Sequence, residues 1–303
     1  MYAPRRILVP TDFSNHAADA LRHAVLLGSE YNAEITLLHV DEFSVSPLGA
    51  LGVRAEYVDV YQQKKEEYLR EWFKKLIEDA KRPSVNLKWQ IIHGRAYKVI
   101  VEESEKQEYD LIVIATRGLT HLSTYLIGGT AERVVRLSRQ PVLSIQAAPT
   151  QGGKFESILC PTDLSPAANV ALSYALSIAL TNNADLYIQY ISELEKPEKE
   201  EDVRKRMPSL LEHHPRAANA KVHYVFDRDV EPSNSIIRFA EDREVGLIVM
   251  STHGRKGLRR VYIGNTTAEV VRQSSRPVLT VTHPLHKAVF AKPVTVQTKR
   301  PTM

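Results

Sequence analysis

The chain repeats itself. The segment ILVPTDFSNHAADALRHAVLLGSEYNAEITLLHV at 7–40 returns as ILCPTDLSPAANVALSYALSIALTNNADLYIQYI at 158–191, an offset of 151 residues. LIVIATRGLTHLSTYLIGGTAERVVRLSRQPVLSI at 111–145 returns as LIVMSTHGRKGLRRVYIGNTTAEVVRQSSRPVLTV at 247–281, an offset of 136. A constant offset inside each block identifies two copies of one unit, with 151 − 136 = 15 residues fewer in the middle of the second. A unit this long is a duplicated domain, not a solenoid module of roughly 20–50 residues. The chain has 303 residues, room for two domains that each bury a core, at 1–147 and 156–283. Any fold assigned to one copy has to serve the other, and so does any site.

Each copy alternates strand and helix patterns. In the first, Arg6–Val9 is a short apolar strand closed by Pro10, with Ser14 placed to cap a helix whose small face is Ala17, Ala18, Leu21, Ala24, Val25 and Gly28. Ile35–Val40 is the second strand, with His39 near its end. Gln62–Ala80 is a charged helix with Tyr68, Leu69, Phe73 and Ile77 as its apolar side. Leu87–Ile92, Leu111–Ala115 and Val142–Gln146 complete the strands, and Val99–Glu108 and Thr130–Ser138 the helices. Five strands and four helices in this alternation predict a Rossmann-like α/β domain, a doubly wound parallel sheet ordered 3-2-1-4-5, twice. The fully apolar fourth strands, 111–115 and 247–250, belong in the middle. The fifth strand lies at an edge in that order, and an open edge invites pairing, so 142–146 and 278–282 are expected to meet. In the second copy the crossover after the second strand is shortened, with Pro197 and Pro208 breaking its helical pattern. Asp227-Arg228-Asp229-Val230 stands there for His93-Gly94-Arg95-Ala96.

The net charge of +4 lies in the tail, where Lys287, Lys292, Lys299 and Arg300 are unopposed between 286 and 303. A neutral body with a solvated, poorly ordered basic tail at 284–303 argues against nucleic acid, which wants a basic face on the folded domain. The unbroken apolar runs are about five residues long, as in LIVIA, too short for a membrane span. No apolar run follows the charged start, so no leader is expected and the cytoplasm is the default compartment. Cys160, the single cysteine, sits in an apolar strand as a small buried thiol.

In doubly wound sheets ligands bind beyond the C-terminal ends of the strands where the strand order reverses. After strand one stand Asp12 and, in the second copy, Asp163; each is either a turn former or an acceptor for ribose hydroxyls. After strand four come Ala115-Thr116-Arg117-Gly118, nine residues, and Gly128-Gly129-Thr130. The second copy has Ser251-Thr252-His253-Gly254, nine residues, and Gly264-Asn265-Thr266. Such glycines are turn and cap residues, or they let backbone and a helix N-terminus close on a phosphate. A P-loop, a G-x-G-x-x-G after strand one and a G-x-S-x-G elbow are all absent. Adjacent His213 and His214 make no metal site, and the charge runs Lys64–Glu67 and Glu198–Arg206 read as solvated helix faces.

These motifs, ILVPTDFS, THGRKGL, the Gly-x9-Gly loop and the closing RPVL, resemble the universal stress protein family, here as two tandem domains. ATP-binding members carry G-x-x-G-x9-G-[ST]. This chain has Ala115 and Ser251 at the first glycine, and Gly129 and Asn265 at the hydroxyl position. The resemblance implies that Asp12 and Asp163 hold ribose and that Val40 and Ile191 pair adenine through their backbone, with Ile114 and Met250 on the ring. Ala115 and Ser251 leave room for ribose. Gly118, Gly128, Gly129 and Thr130, with Gly254, Gly264, Asn265 and Thr266, hold the phosphates, and Mg²⁺ or Mn²⁺ rides mainly on phosphate oxygens. The implied function is an ATP-binding stress-response module whose nucleotide controls a surface for an unidentified protein partner, with a homodimer of the two-domain chain as its assembly. No residue marks itself as a catalytic base or nucleophile. A slow ATPase, and a scaffold with vestigial sites or another small ligand, remain as alternatives. Both sites are expected to bind unequally, with the second favoured for its family-like THGR.

Overall fold

The computed structural model describes residues 2–42, 55–80, 85–117, 129–147, 155–193, 197–212, 214–252 and 264–282. The tail, Gly118, Gly128, Gly254 and His213 lie outside the described residues.

The first copy runs β1 (Arg6–Pro10), α1 (Asn15–Tyr31), β2 (Glu34–Asp41), α2 (Ala55–Ala80), β3 (Asn86–His93), α3 (Ala96–Lys106), β4 (Leu111–Ala115), α4 (Gly129–Leu137) and β5 (Val142–Ile145). The second runs β6 (Ser157–Thr162), α5 (Pro166–Asn182), β7 (Asp185–Glu193), α6 (Glu200–Arg206), β8 (Lys221–Asp229), α7 (Pro232–Asp242), β9 (Leu247–Ser251), α8 (Asn265–Gln273) and β10 (Val278–Val281). The shortened crossover is α6 with two 3-10 turns, Pro208–Leu211 and Ala217–Asn219. Each proline sets a boundary, because its ring cannot continue a helix from within.

Each half is a parallel sheet in the order 3-2-1-4-5, and the two join into one ten-stranded sheet, β3-β2-β1-β4-β5-β10-β9-β6-β7-β8. The seam is antiparallel. Leu143 faces Leu279, Val142 faces Thr280 and Ser144 faces Val278. Leu143 and Leu279 are counterparts at the 136-residue offset, and the flanking pairs exchange counterparts. That is the pattern of an isologous twofold interface, drawn inside one chain. Thr280 Oγ1 donates to the Val142 carbonyl (3.2 Å), and Gln146 Nε2 reaches across to the Val271 carbonyl (2.8 Å). The core is continuous across the seam: one face of the sheet gathers Ile7, Phe73 and Leu143 with Ile158, Leu172 and Leu279.

Several sequence boundaries move. Helix α3 begins at Ala96 rather than Val99, and α2 at Ala55 rather than Gln62. His39 lies inside β2, not at its end, with its Nδ1 2.9 Å from the Thr11 carbonyl oxygen. On α2 the buried stripe is Leu69, Phe73 and Leu76, spaced by four and three, whereas Tyr68 is 62% exposed and meets Trp72 on the outer side. Glu198 is not simply solvated: it accepts from the Tyr190 hydroxyl and pairs with Arg206. Cys160 is buried in β6, which pushes its thiol up to about 12.

The register also realigns the turn before α7. Asp41 pairs with His93 and its counterpart Ser192 pairs with Arg228, so Arg228, not Asp227, stands where His93 does. Asp227 thus takes the place of Ile92. One extra residue then enters the turn, because Ala96 corresponds to Pro232 at the helix start. Gly94 needs φ +145° there, a conformation only glycine adopts easily. The second copy instead bends through Asp229, whose Oδ1 accepts the Glu231 N–H at 3.1 Å.

Three apolar residues of the first half become a polar group in the second. Leu38, Ile92 and Val99 correspond to Gln189, Asp227 and Ser235. Gln189 is fully buried; its Nε2 donates to Ser235 Oγ (3.0 Å), and the Ser235 hydroxyl donates to Asp227. Burial works against the Asp227 charge, but the Ser235 hydroxyl, the Arg228 N–H and Arg238 outweigh it and hold the carboxyl below its usual range. The Gln189 Oε1 has no hydrogen-bond partner among the described residues. An unmet buried acceptor costs about 1–3 kcal/mol. Gln189→Leu, which restores the residue type of position 38, is therefore expected to raise stability by about 1 kcal/mol. A shift of the urea midpoint at unchanged slope would measure it, and a lowered midpoint would contradict it.

Candidate functional site

Strands β1 and β4 are neighbours from which the chain departs in opposite directions, and so are β6 and β9. The crevices above these pairs are the switch points where a doubly wound sheet accepts ligands.

The turn after the first strand is built identically in both halves. Thr11 Oγ1 accepts the Phe13 N–H and Asp12 Oδ1 the Ser14 N–H, each at 3.0 Å. Thr162 and Asp163 do the same for Leu164 and Ser165, each at 3.0 Å. Ser14 and Ser165 then cap α1 and α5 through the N–H groups of Ala17 and Ala168. Phe13 and Leu164 are held at φ 64° and 62°, left-handed values that a side chain resists by roughly 1–2 kcal/mol. The interlocked turn over-determines this strain, as at many functional loops. Both aspartates are thus turn formers, and both stay part-exposed at the crevice.

Val40 and Ile191 lie at the same mouth. The Thr11 N–H bonds the Leu38 carbonyl oxygen (2.9 Å), so residues 38 and 40 of β2 turn their main chain toward β1. But β1 stops at Pro10, opposite Leu38, while β3 follows β2 to Asp41. The main chain of Val40 therefore faces the space above Thr11 and Asp12. In the second half the Asp185 N–H bonds the Glu156 carbonyl oxygen (3.0 Å), which gives Ile191 the same facing. There β6 ends opposite Tyr190 while β8 follows β7 to Glu193. Ile114 and Met250 are buried one residue before the strand ends, where Ala115 and Ser251 stand.

The two ends of the second loop are tied together. The Gly264 N–H donates to the Thr252 carbonyl oxygen (2.8 Å), and Thr267 Oγ1 donates to that of Ser251 (2.9 Å). Helix α8 starts at Asn265 with no side-chain cap, unlike α1 and α5, so the N–H groups of its first turn have no side-chain acceptor from the cap position. Gly264 has φ −63°, and among the described residues a Cβ there would meet only the Thr252 oxygen at 3.7 Å, an ordinary contact. At Gly129 a Cβ would meet no described atom within 4 Å. The described structure demands glycine at neither position. Thr130 and Thr266 follow in the first turns of α4 and α8, part-exposed.

A model of the universal stress protein family matches residues 4–146 and 154–282. The chain belongs to the universal stress protein family. Both family domains lie on the two halves of the sheet. Universal stress protein Slr1230 of Synechocystis is 25% identical over 301 residues, covering 91% of this chain and 99% of its own length. Universal stress protein MJ0531 of Methanocaldococcus jannaschii is 33% identical over 142 residues, 47% of this chain and 82% of its own. The crystal structure of a universal stress protein from Archaeoglobus fulgidus shares the fold across both domains. Its TM-score is 0.70 at 24% identity, covering 92% of this chain and 96% of that one.

Among the described residues no group of three His, Cys, Asp or Glu side chains is placed to hold a metal ion. Nor is any described helix long and apolar enough to cross a membrane. The structure brings Asp12, Val40, Ile114, Ala115, Gly129 and Thr130 to one edge of the first half. Asp163, Ile191, Met250, Ser251, Gly264, Asn265 and Thr266 gather at the same edge of the second. The left-handed Phe13 and Leu164 escaped sequence reasoning, because neither is the glycine or asparagine that marks such a position. Their only signal was the Thr-Asp-x-Ser run around them.

Proposed function

We propose that the protein is an adenine-nucleotide-binding regulatory module of the universal stress protein family, with a candidate site above each switch point. The observation that carries this reading is the start of α8. An uncapped helix N-terminus, led by a glycine that no described neighbour requires, sits against the end of β9 at the switch point. That end offers N–H donors and the positive pole of the helix to a phosphate. Asp12 and Asp163 then face the ribose, and the open main chain of Val40 and Ile191 offers one donor and one acceptor to the edge of a base. A divalent ion would be held by phosphate oxygens and water. Bound nucleotide alters a protein-binding surface at the mouth of the crevice; catalysis is not part of this function.

Native mass spectrometry of the purified protein, followed by calorimetric titration with ATP, tests the reading. Adenine nucleotide should appear on the protein or bind to it. Asp12→Ala and Asp163→Ala should each weaken their own site by about 10- to 150-fold, the cost of losing a hydrogen bond to a charged acceptor. Wild-type affinity in the double variant would remove the ribose role. Phosphate release above the rate in buffer would instead favour the slow ATPase, and no binding at either site would favour the scaffold.

A further inference from the structure

We propose that the two sites have diverged in how they hold the terminal phosphates. The first holds those of a nucleoside polyphosphate on Arg95 and Arg133, and the second, which has neither arginine, binds the same ligand more weakly. This rests on the nucleotide reading above and adds to it residues outside the family motif.

The repeat makes the comparison strict. Helices α3 and α7 correspond residue for residue at the offset of 136, and so do α4 and α8. Arg95 therefore stands where Glu231 does, Lys98 where Asn234 does, and Arg133 where Glu269 does. Position 95 or 231 is the N-cap of its helix, and both helices begin at the C-terminal edge of the sheet, where the site lies. Position 133 or 269 is one turn beyond the phosphate-facing start of α4 or α8, on the same side as residues 129 and 130 or 265 and 266. The inversion thus falls on the rim of each site.

In the first half the cations are gathered and not neutralised. The Arg133 guanidinium lies 4.9 Å from the centroid of the Tyr97 ring and that of Arg95 lies 6.0 Å from the same centroid, so one ring carries both. Neither arginine forms an ion pair with a carboxylate among the described residues. A hydrogen bond from Arg95, with the charges of Arg95, Arg133 and Lys98, draws the Tyr97 hydroxyl below its usual range. Two guanidiniums on one ring repel, and an anion between them relieves the repulsion. The end of α3 is already occupied, since Glu42 Oε1 accepts the Ala96 N–H at 2.7 Å. The attraction for phosphate therefore comes from the arginines and from α4.

The second half reverses these terms. Glu269 stays on α8 with Arg272 and Gln273 as its partners. Asp227 and Asp229 end β8, both held by Arg238. With these carboxylates paired to arginines, the second rim offers no pair of gathered, unpaired cations to a polyphosphate among the described residues. The order of affinity for ATP is thus the reverse of the one the THGR motif suggested.

Calorimetric titrations with ATP and with adenosine, at low and moderate salt, test the proposal on wild type, R95E/R133E and E231R/E269R. Arg95, Arg133 and Glu231 are exposed and Glu269 is part-exposed, and thermal melts check that folding is kept. Wild type should take one tight, salt-sensitive ATP equivalent. R95E/R133E should weaken that equivalent by about 100-fold, about tenfold for each charge-assisted contact, with adenosine affinity held within about threefold. E231R/E269R should tighten ATP at the second site. Unchanged ATP affinity in R95E/R133E, an equal loss of ATP and adenosine, or two equal ATP sites in wild type would each overturn the rim assignment while leaving the nucleotide reading standing. If wild type binds neither ATP nor adenosine, the nucleotide reading itself falls and the rim assignment with it.

Discussion

Leu279→Asp is expected to cost the protein at least about 3 kcal/mol, because it places an unpaired carboxylate in the seam between the two halves. Leu279 is 3% exposed and directly opposite its own counterpart, Leu143, on antiparallel strands. Tyr2, Leu27, Tyr31, Phe155, Ile178 and Leu247 line the same small cavity, and no basic group lies among its lining residues to pair with a new charge. An exposed aspartate would cost almost nothing, so the size of the loss reports how dry the seam is. Leu279→Ala separates charge from volume. It should cost about 2–5 kcal/mol through the cavity alone, with the sheet still joined. Because the core runs across the seam, wild type should melt in one transition and Leu279→Asp earlier, with the halves no longer coupled. Calorimetry shows both effects, and wild-type stability in Leu279→Asp would mean that the halves do not rely on this strand pair.

The seam was legible because two sequence facts meet there. The order 3-2-1-4-5 leaves the fifth strand bare, and the repeat supplies a second bare strand of the same kind. The apolar runs Leu111–Ala115 and Leu247–Met250 announced the central strands through unbroken apolar character alone. Helix starts were harder to read. Helix α3 follows Arg95, which makes no side-chain cap, so no residue type marks Ala96 as the first turn. The turn before α7 was misaligned because Asp229 does with a side-chain hydrogen bond what Gly94 does with its φ, and identity matching cannot equate the two. At the site, Asp12 and Asp163 could be located but their turn geometry could not. The facing of the main chain of Val40 and Ile191 past the end of the neighbouring strand depends on where that strand stops, which no local pattern carries. The changes from Arg95 to Glu231 and from Leu38 to Gln189 sit between the matching blocks or at unmatched positions within them. They gain meaning only when register brings them to one place.

Gly129→Val is expected to abolish tight ATP binding, a loss above about 100-fold, while shifting the melting temperature by no more than a few degrees. The argument turns on what the fold asks of its glycines. At Gly94 a side chain would be strained by φ +145° and would press within 2.8 Å of Val99, so glycine there serves the backbone. At Gly129 a Cβ meets no described atom within 4 Å, and the residue opens α4, where glycine is the worse helix former by about 0.5–1 kcal/mol. Valine there leaves the described structure undisturbed. If a phosphate lies against this first turn, the branched side chain occupies its place and masks the N–H groups that would bind it. Gly264→Val applies the same test to the second site, where among the described residues a Cβ would meet only the Thr252 oxygen at 3.7 Å. It should remove the weaker, second equivalent and leave the tight ATP equivalent intact. Loss of binding with folding kept requires a ligand at these helix starts. Wild-type ATP affinity in Gly129→Val would make its glycine a neutral turn residue and remove the phosphate from α4.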